Sequence, residues 1–132
     1  MNALDTLKQF LDHMFNGRMD QALGLTDPEV EFIAGMAGGH PQVPLYGHYQ
    51  GRERVRLLFE RFGDCFIPGA FEVQGALGDG ETAVMHGHLR HVVRSTGRAF
   101  DSDWALVALV RDGRLLRYQF HEDTAALVAA LA

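Results

Sequence analysis

From Phe71 to Phe120 apolar and polar side chains alternate at a period of two, and the alternation breaks where glycine-bearing turn signals fall. Phe71-Glu-Val-Gln-Gly-Ala-Leu77 predicts one strand, closed by a turn at Gly78-Asp79-Gly80. Thr82 to Arg94 predicts a long strand, Ser95-Thr-Gly-Arg98 a turn, and Ala99 to Val110 another strand. Arg111-Asp112-Gly113 predicts a hairpin, because Asp-Gly readily takes the positive φ values of a tight turn, and Arg114 to Phe120 a last strand. Four strands joined by short turns imply a meander in a single antiparallel sheet. Such a sheet has an apolar face that something must cover.

The first half of the chain supplies the cover. Leu4, Leu7, Leu11, Met14 and Phe15 recur at helical spacing beside Phe10, with Asn2 placed to cap the start and Gly17 to end the helix. A short helix follows from about Arg18 to Leu25, stopped by Thr26-Asp27-Pro28. Glu29 to Ala34 alternates and predicts one early strand. Gly35 to about Gly51 reads as an irregular loop, a pocket lid in which Tyr46, His48 and Tyr49 could close over a ligand. Val55, Leu58, Phe59 and Phe62 form the apolar stripe of a third helix. Asp123 caps a short C-terminal helix. The expectation is one α+β domain spanning residues 1–132, its twisted sheet curled around helices into a cone.

Composition narrows the function classes. With 47% hydrophobic and 22% charged residues the chain has the mix of a soluble globular protein. A net charge of −5 argues against nucleic acid and against an anionic membrane surface. No run is long and apolar enough to span a bilayer, and the N-terminus lacks the order of a signal peptide. Cys65 is the one cysteine and reads as a small buried apolar residue, which suits a reducing cytoplasm. The glycines are not in phosphate-loop spacing, and no nucleotide or flavin motif is present, so no cofactor is expected.

If Ser95 pairs with Arg98, Leu89 lies opposite Trp104 and Gly87 opposite Leu106. The more apolar face then holds Met85, Gly87, Leu89, His91 and Val93 against Phe100, Ser102, Trp104, Leu106 and Ala108, and is expected inward. The other face holds His86, His88 and Arg90, with Asp103 across from Arg90, and a one-residue slip would exchange the two. His86-x-His88 could be half of a metal site, but nothing specifies a third ligand, so no metal is expected. An outer face mixing Val84, Val107 and Leu109 with charges suits a homodimer.

Tyr49-Gln-Gly-Arg-Glu-Arg-Val55, the hairpin around Gly97, and Asp112-Gly-Arg-Leu-Leu116 followed by Asp123 resemble the SnoaL-like branch of the nuclear-transport-factor-2-like (NTF2-like) superfamily. The resemblance implies an NTF2-like cone and a small hydrophobic ligand. Relatives include ketosteroid isomerase, limonene epoxide hydrolase, polyketide cyclases and proteins that only bind. It does not transfer their catalytic groups. The isomerase's tyrosine, base and protonated aspartate fall near Phe10, Phe32 and Leu106, and the hydrolase's Arg-x-Asp and Asp near Gly87, Leu89 and Phe120.

Three inward polar groups remain as candidates. Glu122 would gain a raised pKa in an apolar cone and serve as acid or base, or it would favour the following helix from solvent. His91 titrates near neutrality, and Tyr118 could donate to a ligand oxygen. The expected pocket wall is Phe10, Met14, Phe32, Leu89, Trp104, Leu106 and Phe120. The readings that follow are a cofactor-independent isomerase, cyclase or hydrolase, a non-catalytic binder of an apolar ligand, or a protein-interaction module.

Overall fold

A computed structural model describes residues 2–132. Helix α1 (Ala3–Phe15) begins where the Asn2 side chain accepts the Asp5 backbone N–H at 2.8 Å, and the chain turns out of it at Gly17, whose φ is +71°. It lays Leu7, Phe10 and Leu11 against the sheet. After α2 (Met19–Gly24) comes β1 (Thr26–Ala34), which starts three residues earlier than the alternation indicates. The Thr26 hydroxyl donates to the Leu23 carbonyl at 2.6 Å, so the Thr-Asp-Pro segment is already fastened as strand before the regular pairing begins at Glu31.

The presumed loop contains a strand, β2 (Gly47–Gln50), paired antiparallel with β1 so that Tyr49 faces Phe32. Four residues between glycines carry too little periodicity to announce themselves. The lid expectation is corrected accordingly. Tyr49 is buried, its hydroxyl donates to the Leu45 carbonyl at 2.8 Å and accepts from Arg61 at 2.9 Å, and His48 turns to Glu31.

Helix α3 (Arg52–Cys65) buries Val55 and Leu58 as its stripe requires. It runs straight into β3 (Phe66–Asp79), followed by β4 (Thr82–Val93), β5 (Ala99–Arg111), β6 (Arg114–Glu122) and α4 (Thr124–Leu131), whose first turn is capped by Asp123. Strand β3 starts five residues before the predicted Phe71. Two register shifts, after Ile67 and after Val73, spoil its alternation.

Among the described residues six strands form one open, curved sheet in the order β2-β1-β6-β5-β4-β3. It is mixed rather than purely antiparallel, because β1 lies parallel to β6, with Phe32 beside Tyr118. Pattern alone could not show that pairing. A strand's period reports which face is buried, not its neighbour's direction.

The β4–β5 pairing corrects the expected register by two residues. Gly87 lies opposite Trp104, Leu89 opposite Ser102, and Arg90 opposite Asp101, since the hairpin closes at Val92 and Ala99 rather than at Ser95 and Arg98. An even shift leaves every side chain on its predicted face. Met85, Leu89, His91 and Val93 are buried with Phe100, Ser102, Trp104 and Leu106, whereas His86 and Arg90 are exposed. On the outer face His88 lies against both Asp101 and Asp103, and Arg90 donates to Asp101 at 2.9 Å. Among the described residues no group of three or more such side chains could hold a metal ion.

Gly87 occupies a position where only glycine fits. A Cβ there would overlap the Glu72 carbonyl oxygen of β3 and come within 3.0 Å of Cζ2 of Trp104. Both obstacles are held in place, one by the sheet backbone and the other by ring stacking, so neither yields cheaply. Gly87→Ala should therefore destabilise the protein by about 2–4 kcal/mol in urea unfolding. By contrast Gly63→Ala, in α3 with open space around it, should stabilise by about 0.5–1 kcal/mol. Equal effects at the two sites would refute this account of the β3–β4 approach.

Candidate functional site

Between the helices and the inner face of the sheet lies a cavity of about 420 Å³. Glu122, Tyr118 and His91, the three candidate polar residues, all line it. Of the expected wall, Met14, Leu89 and Phe120 are present, while Phe10, Phe32, Trp104 and Leu106 are not. Those four are packed as core. Phe32 is stacked flat on Tyr118 at 4.2 Å, with Phe10 tilted against it at 5.5 Å, and of the three rings Tyr118 alone lines the cavity. Trp104 packs against Phe71 at 4.5 Å and Phe120 at 5.6 Å, and those two rings lie 6.4 Å from each other. Inward facing did not separate these from wall residues, since a strand's period cannot say how deep a side chain sits.

The wall contains residues that the sequence reading placed elsewhere or omitted. Phe59 and Phe62 come from the stripe of α3, Phe66 and Phe71 from β3, Phe100 from β5, and Leu45 from the segment before β2. The α3 stripe was legible as an apolar face. Only the fold decides that part of it meets empty space.

Glu122 ends β6, directly opposite Trp104, on the same side of the strand as Tyr118 and Phe120. It is half-buried, and among the described residues its carboxyl has neither a hydrogen-bond nor an ion-pair partner. Burial pushes its pKa up to about 7. Capping of α4 falls to Asp123, whose carboxylate accepts the Ala126 N–H at 3.1 Å and whose own N–H donates to the Ser102 hydroxyl at 2.9 Å. The solvent-facing alternative for Glu122 is therefore not the arrangement observed.

Three neighbouring acids feel the Glu122 charge. Tyr118, 7% exposed, has its hydroxyl pKa raised, first by burial and then by Glu122. Burial and then Glu122 push Tyr46 up to about 12, although its hydroxyl lies 3.2 Å from that of Thr124 in α4. The Cys65 thiol is raised in the same way, and it is half-buried rather than buried. All three stay protonated at neutral pH, so the tyrosine hydroxyls can donate.

His91 is 4% exposed, with its ring against Phe62 and Phe66. The Gly69 N–H donates to its Nδ1 at 3.0 Å, which leaves the neutral ring's proton on Nε2. Burial lowers its pKa, so it is uncharged at neutral pH. His91 and Glu122 share the cavity but do not form a pair. Their β5 partners, Phe100 and Trp104, are four residues apart, and two strand spacings separate β4 from β6. Together these put the two Cα atoms roughly 16 Å apart.

The SnoaL-like domain family matches residues 7–118, and the chain belongs to that family. Several solved structures share the fold. An NTF2-like protein from Burkholderia xenovorans LB400 is 24% identical, over 98% of this chain and 95% of that one, with a TM-score of 0.88. TerC, co-crystallised with polyporic acid, is 16% identical, over 98% of this chain and 97% of its own, with a TM-score of 0.83. A candidate isomerase from Bacillus subtilis is 18% identical, over 97% and 91%, with a TM-score of 0.77. No curated protein matches the chain. Among the described residues no helix is long and apolar enough to cross a membrane.

A carboxyl held above its ordinary value keeps its proton in the folded chain at pH values where the unfolded chain has lost it. The stability it contributes is greatest below about pH 4.5, falls as pH rises towards about 7, and then levels off. Glu122→Gln should abolish that fall and stabilise the protein at pH 8 by about 2–3 kcal/mol relative to pH 4. Urea unfolding of both forms at the two pH values measures it. A variant whose advantage does not change with pH would show that the carboxyl is solvated.

Proposed function

We propose that this is a small-molecule pocket protein of the SnoaL kind, a cofactor-independent isomerase, cyclase or hydrolase acting on a small hydrophobic substrate. The observation that carries this is Glu122, an unpartnered acid in the wall of an otherwise mainly apolar cavity. With a pKa of about 7 both of its forms are populated at neutral pH, so it can take a proton from a bound molecule and return it. Tyr118 keeps its own proton and donates a hydrogen bond to an oxygen on which charge develops. His91, its Nδ1 engaged by the main chain, offers an Nε2–H donor to the far end of the ligand.

A non-catalytic binder is the second reading. It is supported by Phe10, Phe32 and Leu106, which stand where ketosteroid isomerase has its catalytic groups and are fully buried here. Binding that is indifferent to pH between about 5 and 8 would favour it, because a proton shuttle near pH 7 couples occupancy to protonation. The outer sheet face is the proposed homodimer interface, with Val84, Val107 and Leu109 beside the His88–Asp101–Asp103–Arg90 cluster. A reducing cytoplasm suits the single thiol.

The cavity reading is tested with naphthylmethanol, an uncharged apolar probe, by titration calorimetry. The parent protein should bind it. Leu89→Trp, which projects a larger ring from a buried wall position, should weaken binding by at least about tenfold with an unchanged circular dichroism spectrum. Equal binding by the two forms would remove this cavity from consideration. For the interface, Val107→Glu should convert a dimer to a monomer in light scattering. A monomeric parent would end that proposal.

A further inference from the structure

Among the described residues the cavity wall contains one charged side chain, its charge is negative, and neither lysine nor arginine lines the space. Of the groups that feel the Glu122 charge, Tyr118 from β6 lines the same space, while Tyr46, from the segment before β2, and Cys65, from α3, lie outside its wall, and burial holds all three un-ionised. Asp123, at the start of α4, adds a second negative charge nearby that is felt at Tyr46. His91, on β4 at the other end, is kept neutral. None of these is a cation.

The surfaces beside Glu122 are aromatic. Phe120 and Phe71 line the space with it, and Trp104, its neighbour on β5, packs against both rings without lining the space. Phe71, Trp104 and Phe120 form a three-ring cluster, with centroid spacings of 4.5, 5.6 and 6.4 Å. Ring faces carry negative potential and attract cations, the more so away from water. A ligand carboxylate or phosphate would meet like charge with no counter-ion to offset its desolvation. A neutral ligand would leave the ionised carboxyl unpaired. A cation satisfies both the carboxylate and the rings.

We propose that the ligand of this cavity carries a protonated amine on a flat apolar skeleton, the ammonium against Glu122 and the skeleton along the aromatic wall. This rests on the preceding reading that the cavity holds a small molecule, and not on whether that molecule is turned over. It also gives the proton shuttle its donor. One N–H proton passes from the ammonium nitrogen to a Glu122 carboxyl oxygen, and the electrons of that bond stay on nitrogen as its lone pair. Ion pair and neutral pair bind the same number of protons, so the pH dependence of binding is the same for either.

Three probes on one skeleton provide the test: naphthylmethylamine, naphthylmethanol and naphthoate, each titrated calorimetrically from about pH 5 to pH 9. The amine should bind at least about tenfold tighter than the alcohol at pH 8, and naphthoate weakest. Below about pH 7 the amine must displace the carboxyl proton, so its affinity should fall about tenfold per pH unit, with a plateau above that. Glu122→Gln should erase the preference for the amine, with an unchanged circular dichroism spectrum showing that the variant is folded. Alcohol binding equal to or tighter than amine binding at pH 8, or affinity that falls as pH rises through 7, would overturn the amine and leave the cavity reading standing. Failure of all three probes would overturn both.

Discussion

The parallel pairing of β1 with β6 is the constraint from which the site follows. It joins the N-terminal half of the chain to the last strand of the meander and sets Phe32 beside Tyr118, where the two rings stack at 4.2 Å. That stack, with Phe10 against it, fixes one wall of the cavity. Because Tyr118, Phe120 and Glu122 alternate along the same strand, fixing Tyr118 also directs Glu122 inward. Ser102, buried on β5, holds the Asp123 N–H and so secures the end of that strand where the chain turns into α4.

The inner and outer faces of β4 and β5 were legible in the sequence even though the assumed hairpin was wrong. An error of two residues moved Leu89 from Trp104 to Ser102, yet side chains repeat every two residues, so Met85, Leu89 and His91 still faced inward. The Asn2 and Asp123 caps were legible because capping is a local matter of one side chain and one N–H. Strand β2 and the start of β3 were not, since four residues cannot establish a period and two bulges destroy one. The site was legible in part for a similar reason. Periodicity placed Glu122, Tyr118 and His91 on the inner side, but whether Phe59 or Phe32 meets empty space depends on the depth of the cone, which no local pattern encodes.

Leaving a carboxyl in an apolar wall without a partner lowers stability at neutral pH, and a substitution by glutamine would relieve it. Ordinary structural carboxylates in this protein are arranged otherwise. Glu81 accepts from Arg111 at 2.8 Å, and Asp101 has both Arg90 and His88. The contrast separates a surface that settles its charges internally from a cavity that does not. A destabilising polar group in the wall of a mainly apolar space is the pattern expected where chemistry or binding, rather than packing, determines the residue.

Strand β3 has a consequence of a different kind. It is an edge strand of the sheet, it is long, and Ile67, Val73 and Leu77 are exposed along it. A straight edge of that length would be a ready template for a strand from another molecule. The register shifts after Ile67 and after Val73 divide it into short, differently oriented pieces, and the remaining straight runs lie from Ala70 to Val73 and from Gly75 to Asp79. A visiting strand would lose register within a few residues of docking, so the bulges that obscured the start of β3 in its sequence pattern also work against fibrous aggregation.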